Sequence, residues 1–235
     1  MKYSIVLPAY NEQKRIGIFL EELILFCRKK LKDFEIIIVN DGSTDNTLDV
    51  LKKYRKKIKI ISYSINKGKG YAVKTGMLAA KGDKIVFLDS DGAYPPENIL
   101  KIFSALENYD VAAGTKRSKD SRWYSSEPFL RKLMSFVYNA FIIMLFRERI
   151  WDAGCGIKGF RKNAARYLAS NLISAGWTFD VELMVRAYRK KYKIKRIPVS
   201  LYSVKGSKLK IVDPLKMTLN IIKLKYLLDI KNGRI

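Results

Sequence analysis

Asp89 and Asp91, with Ser90 between them, close the short apolar run 85–88 in the stretch KIVFLDSDGAYPPE. The run is bounded by Gly82 and Asp83 on one side and by a turn on the other, so it reads as a buried strand. Side chains alternate along an extended backbone, so both carboxylates leave the strand's C-terminal end towards one point. In an open α/β sheet, that end is where ligands bind. Two like charges at such spacing repel unless a cation lies between them or one takes a proton. A hard divalent ion held by one or two carboxylates and by substrate phosphates suits the geometry. The same residues also read as an acidic turn closing a strand, and the pair alone does not decide.

The segments around this stretch alternate between strand and helix. Residues 3–7 form an apolar strand ended by Pro8, and a helix is expected to start near Asn11 as N-cap, with Ile16, Phe19, Leu20, Leu23, Ile24 and Cys27 on one face. Strand 36–39 runs into NDGSTDNT, where Asp41 and Gly42 turn the chain and Ser43 or Thr44 caps a helix to Leu51. Strand 58–63, a loop 66–70 with two glycines, and helix 71–80 lead into the aspartate strand. Helix 97–107 and strand 111–113 follow it. This alternation predicts an α/β fold, a mainly parallel sheet flanked by helices.

The second half is different in character. Stretch 130–146 is helical and almost wholly apolar from Leu133 onwards. It is too short to span a bilayer, and reads equally as a core helix or as one lying in a membrane interface. Further helices are expected around 163–169 and within 177–191, a strand at 194–199 and a basic loop at 206–210. Asp213 and Pro214 begin a last helix to Leu228, apolar with basic flanks. Residues 1–212 therefore read as one domain (1–115 a ligand-binding half, 116–212 a second half), with 213–235 an amphipathic appendage.

Composition removes several kinds of chemistry. There is no histidine, which excludes a His base, Ser-His or Cys-His nucleophile pairs and His-containing zinc sites. Cys27 and Cys155 are too few for a disulfide framework. Lys and Arg number 46 against 22 acidic residues, a net charge of +24, which points to a polyanionic partner or an anionic membrane. Part of that surplus also fits a solvated, lysine-rich surface. The chain starts directly on a strand pattern, with no signal peptide visible, and no run of eighteen apolar residues is present. The first strand–helix turn, PAYNEQKR, lacks the glycines of a dinucleotide fold, and there is no P-loop. A nucleic-acid binder would show a helix-turn-helix, zinc or RNP pattern, and none is found. A soluble nucleotidyltransferase would carry a glycine-rich basic loop after its first strand, and PAYNEQKR is not one.

VLPAYNEQKRI, VNDGSTDNT, NKGKGYAVKTGMLAAKGD and FLDSDGAYPPE, in that order, resemble the nucleotide-sugar half of inverting GT-A glycosyltransferases of family 2. AGTKRS, DAGCGIKGF, WTFDVELM and YSVKGSKLKIVDPLKM narrow the resemblance to the polyprenyl-phosphate hexose synthases, the dolichyl-phosphate glucose branch more than the mannose branch. The resemblance runs to about Leu228. It implies a GT-A fold, Mg2+ or Mn2+ as cofactor, a nucleotide sugar (UDP-glucose or GDP-mannose) as donor and a polyprenyl or dolichyl phosphate as acceptor. It also implies a peripheral place on the cytoplasmic face of an anionic membrane, and no nucleic acid.

Site residues follow from that resemblance position by position. Pro8, Ala9, Tyr10 and Glu12 fall where the family wraps the nucleoside, and Asp41 where it contacts the base. Lys69 matches a position near the diphosphate, and also reads as a solvated loop lysine. Asp89 lies nearest ribose and diphosphate with Ser90 beside it, and Asp89 and Asp91 form the metal pair, Asp91 as direct ligand. Ala93 stands where mannose synthases often place a further glutamine ligand. Arg117 and Arg131 match arginines that bind the acceptor phosphate, which a guanidinium fork suits. Asp180 and Glu182 occupy the place where many members carry a base for a hydroxyl acceptor. A phosphate acceptor is already ionised and needs none, so Asp180 orients the acceptor or sugar on this reading and is the base on the alternative one. Glu12 and Asp152 are further candidates for sugar or supporting contacts.

Overall fold

The computed structural model describes residues 1–124, 129–148, 150, 152–202 and 213–230, with side chains for all of these except 129–132 and 213–217. In chain order the first half runs β1 (Tyr3–Ala9), α1 (Ile16–Lys30), β2 (Phe34–Asp41), α2 (Thr47–Lys52), β3 (Lys59–Tyr63), α3 (Lys69–Ala79), β4 (Lys84–Leu88), α4 (Glu97–Ala105) and β5 (Val111–Thr115). The second half runs β6 (Arg122–Trp123), α5 (Phe129–Phe146), β7 (Ile157–Arg161), α6 (Lys162–Asn171), α7 (Phe179–Arg189), β8 (Ile194–Pro198), β9 (Ser200–Leu201) and α8 (Asp213–Ile230).

The main sheet has the order β3-β2-β1-β4-β7-β5-β8. Every pairing in it is parallel except those of β7, which runs antiparallel to both β4 and β5. The expected mainly parallel sheet is therefore present, with one strand reversed at its centre. Burial follows from this layering. Strands β1, β2 and β4 are covered on both faces and so read as continuous apolar runs. One face carries α1, α2 and α4 through Phe19, Leu23, Leu51, Ile99 and Ile102. The other carries α3, α6 and α7, with parts of α5 and α8, through Val73, Leu168, Phe179, Ile142 and Ile221.

Two expected helix caps are corrected. Asn11 does not cap α1. It sits at φ 51°, where asparagine is tolerated, and the helix begins at Ile16. Its side chain instead accepts from Thr44 N (2.8 Å), and its backbone N–H donates to Ser43 Oγ (3.0 Å). Ser43 and Thr44 are thereby drawn away from capping α2, and Asp45 serves there, accepting from Thr47 N at 2.9 Å. The motif DAGCGIKGF, to which no element was assigned, contains most of the interior strand β7. Its lysine and three glycines mask the strand pattern. The basic loop at 206–210 lies outside the described residues.

Candidate active site

Strand order reverses direction between β1 and β4, since the chain leaves β1 for β2 on one side and later returns to β4 on the other. The crevice at the carboxyl ends of strands at such a point is where α/β sheets bind ligands. Register places Pro8 and Ala9 beside Val39 and Asn40, with Asp89, Ser90 and Asp91 emerging next to them from β4. Ser90 Oγ donates to Pro8 O at 2.7 Å and fastens the two strand ends across the switch. Gly92 turns the chain at φ 77°, and Ala93 N donates to Asp91 Oδ1 at 3.0 Å. Burial, followed by the neighbouring charge of Asp89, pushes the Asp91 carboxyl above the usual range.

Asp41, buried at the end of β2, spends its carboxylate on the glycine loop. It accepts from Asn66 Nδ2 (3.0 Å), Lys67 N (2.8 Å) and Gly68 N (2.9 Å). The loop so held delivers Lys69, the first residue of α3, whose ammonium lies 2.7 Å from Asp89 Oδ1. Burial works against that ammonium's charge, yet Asp89 and Asp180 together outweigh it and hold the Lys69 pKa above its ordinary value. Lys69 is thus part of the carboxylate cluster and not a solvated loop residue. Two positions away, the Lys67 ammonium lies 5.3 Å from the Tyr63 ring centroid and 4.8 Å from that of Tyr71.

Sequence reasoning missed what stands behind this cluster. Gly156, in the turn before β7, accepts from Asp89 N (2.9 Å) and donates to the buried Tyr94 hydroxyl (2.9 Å). A Cβ at this position would run into the Asp89 carboxylate and the Tyr94 ring, so only glycine fits. Lys158 on β7 is fully buried and donates to Ala153 O (2.6 Å), Cys155 O (2.7 Å) and Asp180 Oδ1 (2.8 Å). Burial raises the Asp180 pKa, and the charges of Lys158 and Lys69 oppose that rise. A lysine flanked by Ile157 and Gly159 carries no sequence signal for such a role. Only its pairing with the carboxylate of FDVEL identifies it.

Asp180 and Glu182 separate in function. Glu182 is fully buried and accepts from Ile173 N (2.9 Å), Ser174 N (2.7 Å) and Arg186 Nε (2.7 Å), so it pins the turn before α7. Glu12 is likewise structural in its contacts. It pairs with Arg15 at 2.6 Å, and its N–H donates to Thr47 Oγ1 at 2.7 Å, while Tyr10 lies half-buried beside it.

Arg117 belongs to a second cluster, joined to the first through segment 152–156. Its Nε lies 3.7 Å from Asp152 Oδ1, and its Nη2 donates to Ser135 Oγ at 2.9 Å. With the Asn139 amide oxygen facing them, Asn139 accepts from Arg117 Nη1 (2.9 Å) and Asp152 N (3.1 Å). Asp152, at φ 57°, also accepts from Thr115 Oγ1 (3.0 Å) and Lys116 N. Arg131 sits one turn before Ser135 on α5, and its side chain lies outside those described. The α5 helix is divided in its burial. Ile142 and Phe146 are core, while Leu133, Met134, Phe136 and Val137 are exposed beside Arg117.

Replacing Lys158 with methionine removes the counter-charge of a buried carboxylate. Breaking such a pair costs about 3–5 kcal/mol. Urea denaturation of Lys158→Met should show a loss of that size, and Lys158→Met/Asp180→Asn should lose less than the two single changes summed. An unchanged midpoint for Lys158→Met would remove this pair from the fold's stability.

Residues 4–168 match the family model Glycosyl transferase family 2. Dolichyl-phosphate beta-glucosyltransferase of Saccharomyces cerevisiae is 33% identical over 97% of this chain and 75% of its own length. The Homo sapiens protein of the same name is 31% identical over 88% of this chain and 69% of its own. Among solved structures, glucosyl-3-phosphoglycerate synthase from Mycobacterium tuberculosis in complex with UDP superposes with a TM-score of 0.70 at 19% identity, over 95% of this chain and 78% of that one. The same protein in complex with Mn2+, UDP-glucose and phosphoglyceric acid gives 0.71 over 94% and 77%. The sheet with its reversed β7 is thus a GT-A fold. Carboxylates at the switch point, family match and relatives agree: the chain belongs to glycosyl transferase family 2 and is a glycosyltransferase.

Proposed function

We propose that this enzyme transfers glucose from UDP-glucose to a polyprenyl (dolichyl-type) phosphate, with inversion at the anomeric carbon and with Mg2+ or Mn2+ bound. The observation that carries the reading is the convergence of Asp41, Lys69, Asp89 and Asp91 on one crevice, with Arg117 presented beside exposed apolar side chains. The dolichyl-phosphate beta-glucosyltransferase relatives support the sugar and acceptor. Ala93 and Asp180, where mannose synthases carry glutamine, weigh against GDP-mannose. Residues 1–115 then serve the donor, and 116–212 mainly the acceptor.

The residues fit a divalent ion. Asp89 and Asp91 are like charges in a part-buried place, where burial and then the Asp89 charge raise the Asp91 pKa. Among the described residues no group of three or more His, Cys, Asp or Glu gathers. That suits an ion taking one or two carboxylates and completing its shell with substrate phosphate and water. Asp91 would be the direct ligand, and Asp89 is shared with Lys69. When bound, the ion neutralises charge on the leaving diphosphate.

The chain's own groups do the rest. Pro8, Ala9, Tyr10 and Asp41 line the nucleoside end, and Lys69 stabilises negative charge as the sugar–phosphate bond breaks. Arg117, with Arg131, grips the acceptor phosphate. An oxygen of that phosphate, already ionised, attacks the anomeric carbon from the face opposite the diphosphate, so no proton need be removed. Asp180, fixed by Lys158, orients sugar or acceptor. Its Oδ1 is held by that lysine, and a hydroxyl acceptor with Asp180 as base is the rival reading.

Membrane attachment is part of the same reading. No helix among the described residues is long and apolar enough to cross a membrane. On α8, Leu219, Ile222, Tyr226 and Ile230 form an exposed stripe while Ile221, Leu224 and Leu228 are buried. That stripe and the exposed half of α5 would dip into the cytoplasmic face of an anionic bilayer, aided by the +24 charge.

Transfer from radiolabelled UDP-glucose to a polyprenyl phosphate tests the proposal directly. Asp91→Asn should abolish it with little change in melting temperature, and full activity in chelator would remove the metal from the reading. Arg117→Ala should slow transfer about ten- to a hundredfold, since a charge-assisted bond to phosphate is worth about 1.5–3 kcal/mol. UDP affinity should stay unchanged in that variant, and a collapse of UDP binding would move Arg117 to the donor. The intact protein should sediment with anionic liposomes, and Phe136→Ser/Ile222→Ser should leave more of it in the supernatant. A protein that never sediments at low salt has no interfacial face.

A further inference from the structure

Lys67 and Lys69, two residues apart, each lie against aromatic rings. Lys67 sits by Tyr63 and Tyr71, its backbone N–H on Asp41. Lys69 bridges to Asp89, and its ammonium lies 5.1 Å from the Trp177 ring centroid and 5.8 Å from that of Phe179. Phe179 is wholly buried and belongs to the core, whereas Trp177 is 42% exposed. The backbone leading to it is held in place. Glu182 holds the turn at Ile173 and Ser174, and Ala175 O accepts from Tyr71 N at 3.1 Å. Asp180, held by Lys158, follows three residues later.

An open aromatic ring beside a carboxylate cluster matches the chemistry of a hexose. Such a sugar offers a patch of C–H groups on one face of its ring and hydroxyls around its edge. Aromatic walls with a few placed polar groups are the usual means of binding such a ligand. We infer that Trp177 is the platform on which the donor's hexose lies, with its hydroxyls towards Asp180 and Asp89. The inference rests on the donor reading above and deepens it, since it assigns a residue to the sugar and not to the nucleotide. The competing role for the indole is to prop the Lys69 ammonium by a cation–π contact, in which case it serves the diphosphate and is indifferent to the sugar.

Calorimetric titration of the full chain with UDP and with UDP-glucose, Mn2+ present throughout, separates these roles. Trp177→Ala should weaken UDP-glucose about three- to tenfold, the range expected for losing one aromatic contact. Its affinity for UDP should stay at the native value, which also shows that the variant is folded. Trp177→Phe, which keeps a ring, should recover most of the UDP-glucose affinity. Equal losses for UDP and UDP-glucose, or no loss for either, would overturn the assignment while leaving the donor reading intact. Native protein that binds neither compound would overturn the donor reading and this assignment with it.

Discussion

A wholly buried ammonium with three oxygen acceptors ties the turn before β7 to α7, beside the carboxylates of β4. Stripping a lysine of water costs several kcal/mol, and the cost is recovered only where geometry and hydrogen bonding are both good. Lys158 meets that condition through two carbonyls of the turn before β7 and one carboxylate of α7. Because those acceptors come from separate segments, their relative positions are set together. The same turn supplies Gly156 to Asp89 and Asp152 to Arg117. Shifting Lys158 would therefore displace the carboxylate pair, Asp180 and the arginine at once.

Charge balance in the crevice follows from this arrangement. Asp89, Asp91 and Asp180 face Lys69 and Lys158, so the cluster is one positive charge short of neutral. Burial, and after it the charge of Asp89, raises the Asp91 pKa, and the leftover negative charge is what the proposed cation would offset. Lys69 shares its charge with Asp89, so it offsets only part of the negative charge there. The Asp41 carboxylate is likewise committed to shaping a loop, so any contact it makes with a nucleobase is made from a position fixed beforehand. Preorganisation of this kind leaves less ordering to be done when the ligand arrives.

Much of this was legible in the sequence. Parallel strands buried on both faces leave uninterrupted apolar runs, and carboxylates at their ends are conspicuous, so Asp41, Asp89 and Asp91 could be singled out by position. Helix starts were less readable. The polar residues of PAYNEQKR and NDGSTDNT look like caps, but Asn11 pairs with Ser43 and Thr44 across two loops, a contact between segments that no local pattern encodes. The central reversed strand was hidden for a related reason. A buried lysine and tight glycines are the opposite of what marks a strand, and both are explained only by partners distant in the chain: Asp180 for Lys158, and Ile102 for Gly159, where a Cβ would meet that side chain. The α5 helix gave an ambiguous signal because its two ends have different surroundings.

The place of β7 in the sheet also constrains how the chain reaches its native state. β4 and β5 are consecutive strands, yet they never pair with one another, because the slot between them belongs to residues 157–161. During synthesis, both strands emerge well before their partner and carry unpaired edges meanwhile, the condition in which strands associate with the wrong chain. Closing the sheet requires a segment some seventy residues after β4 to enter from the opposite direction, a long-range step of the kind that slows folding. A fragment ending before residue 157 would hold Asp89 and Asp91 but lack the strand against which β4 is laid. The two parts of the chain are for that reason separable in sequence and joined in one sheet.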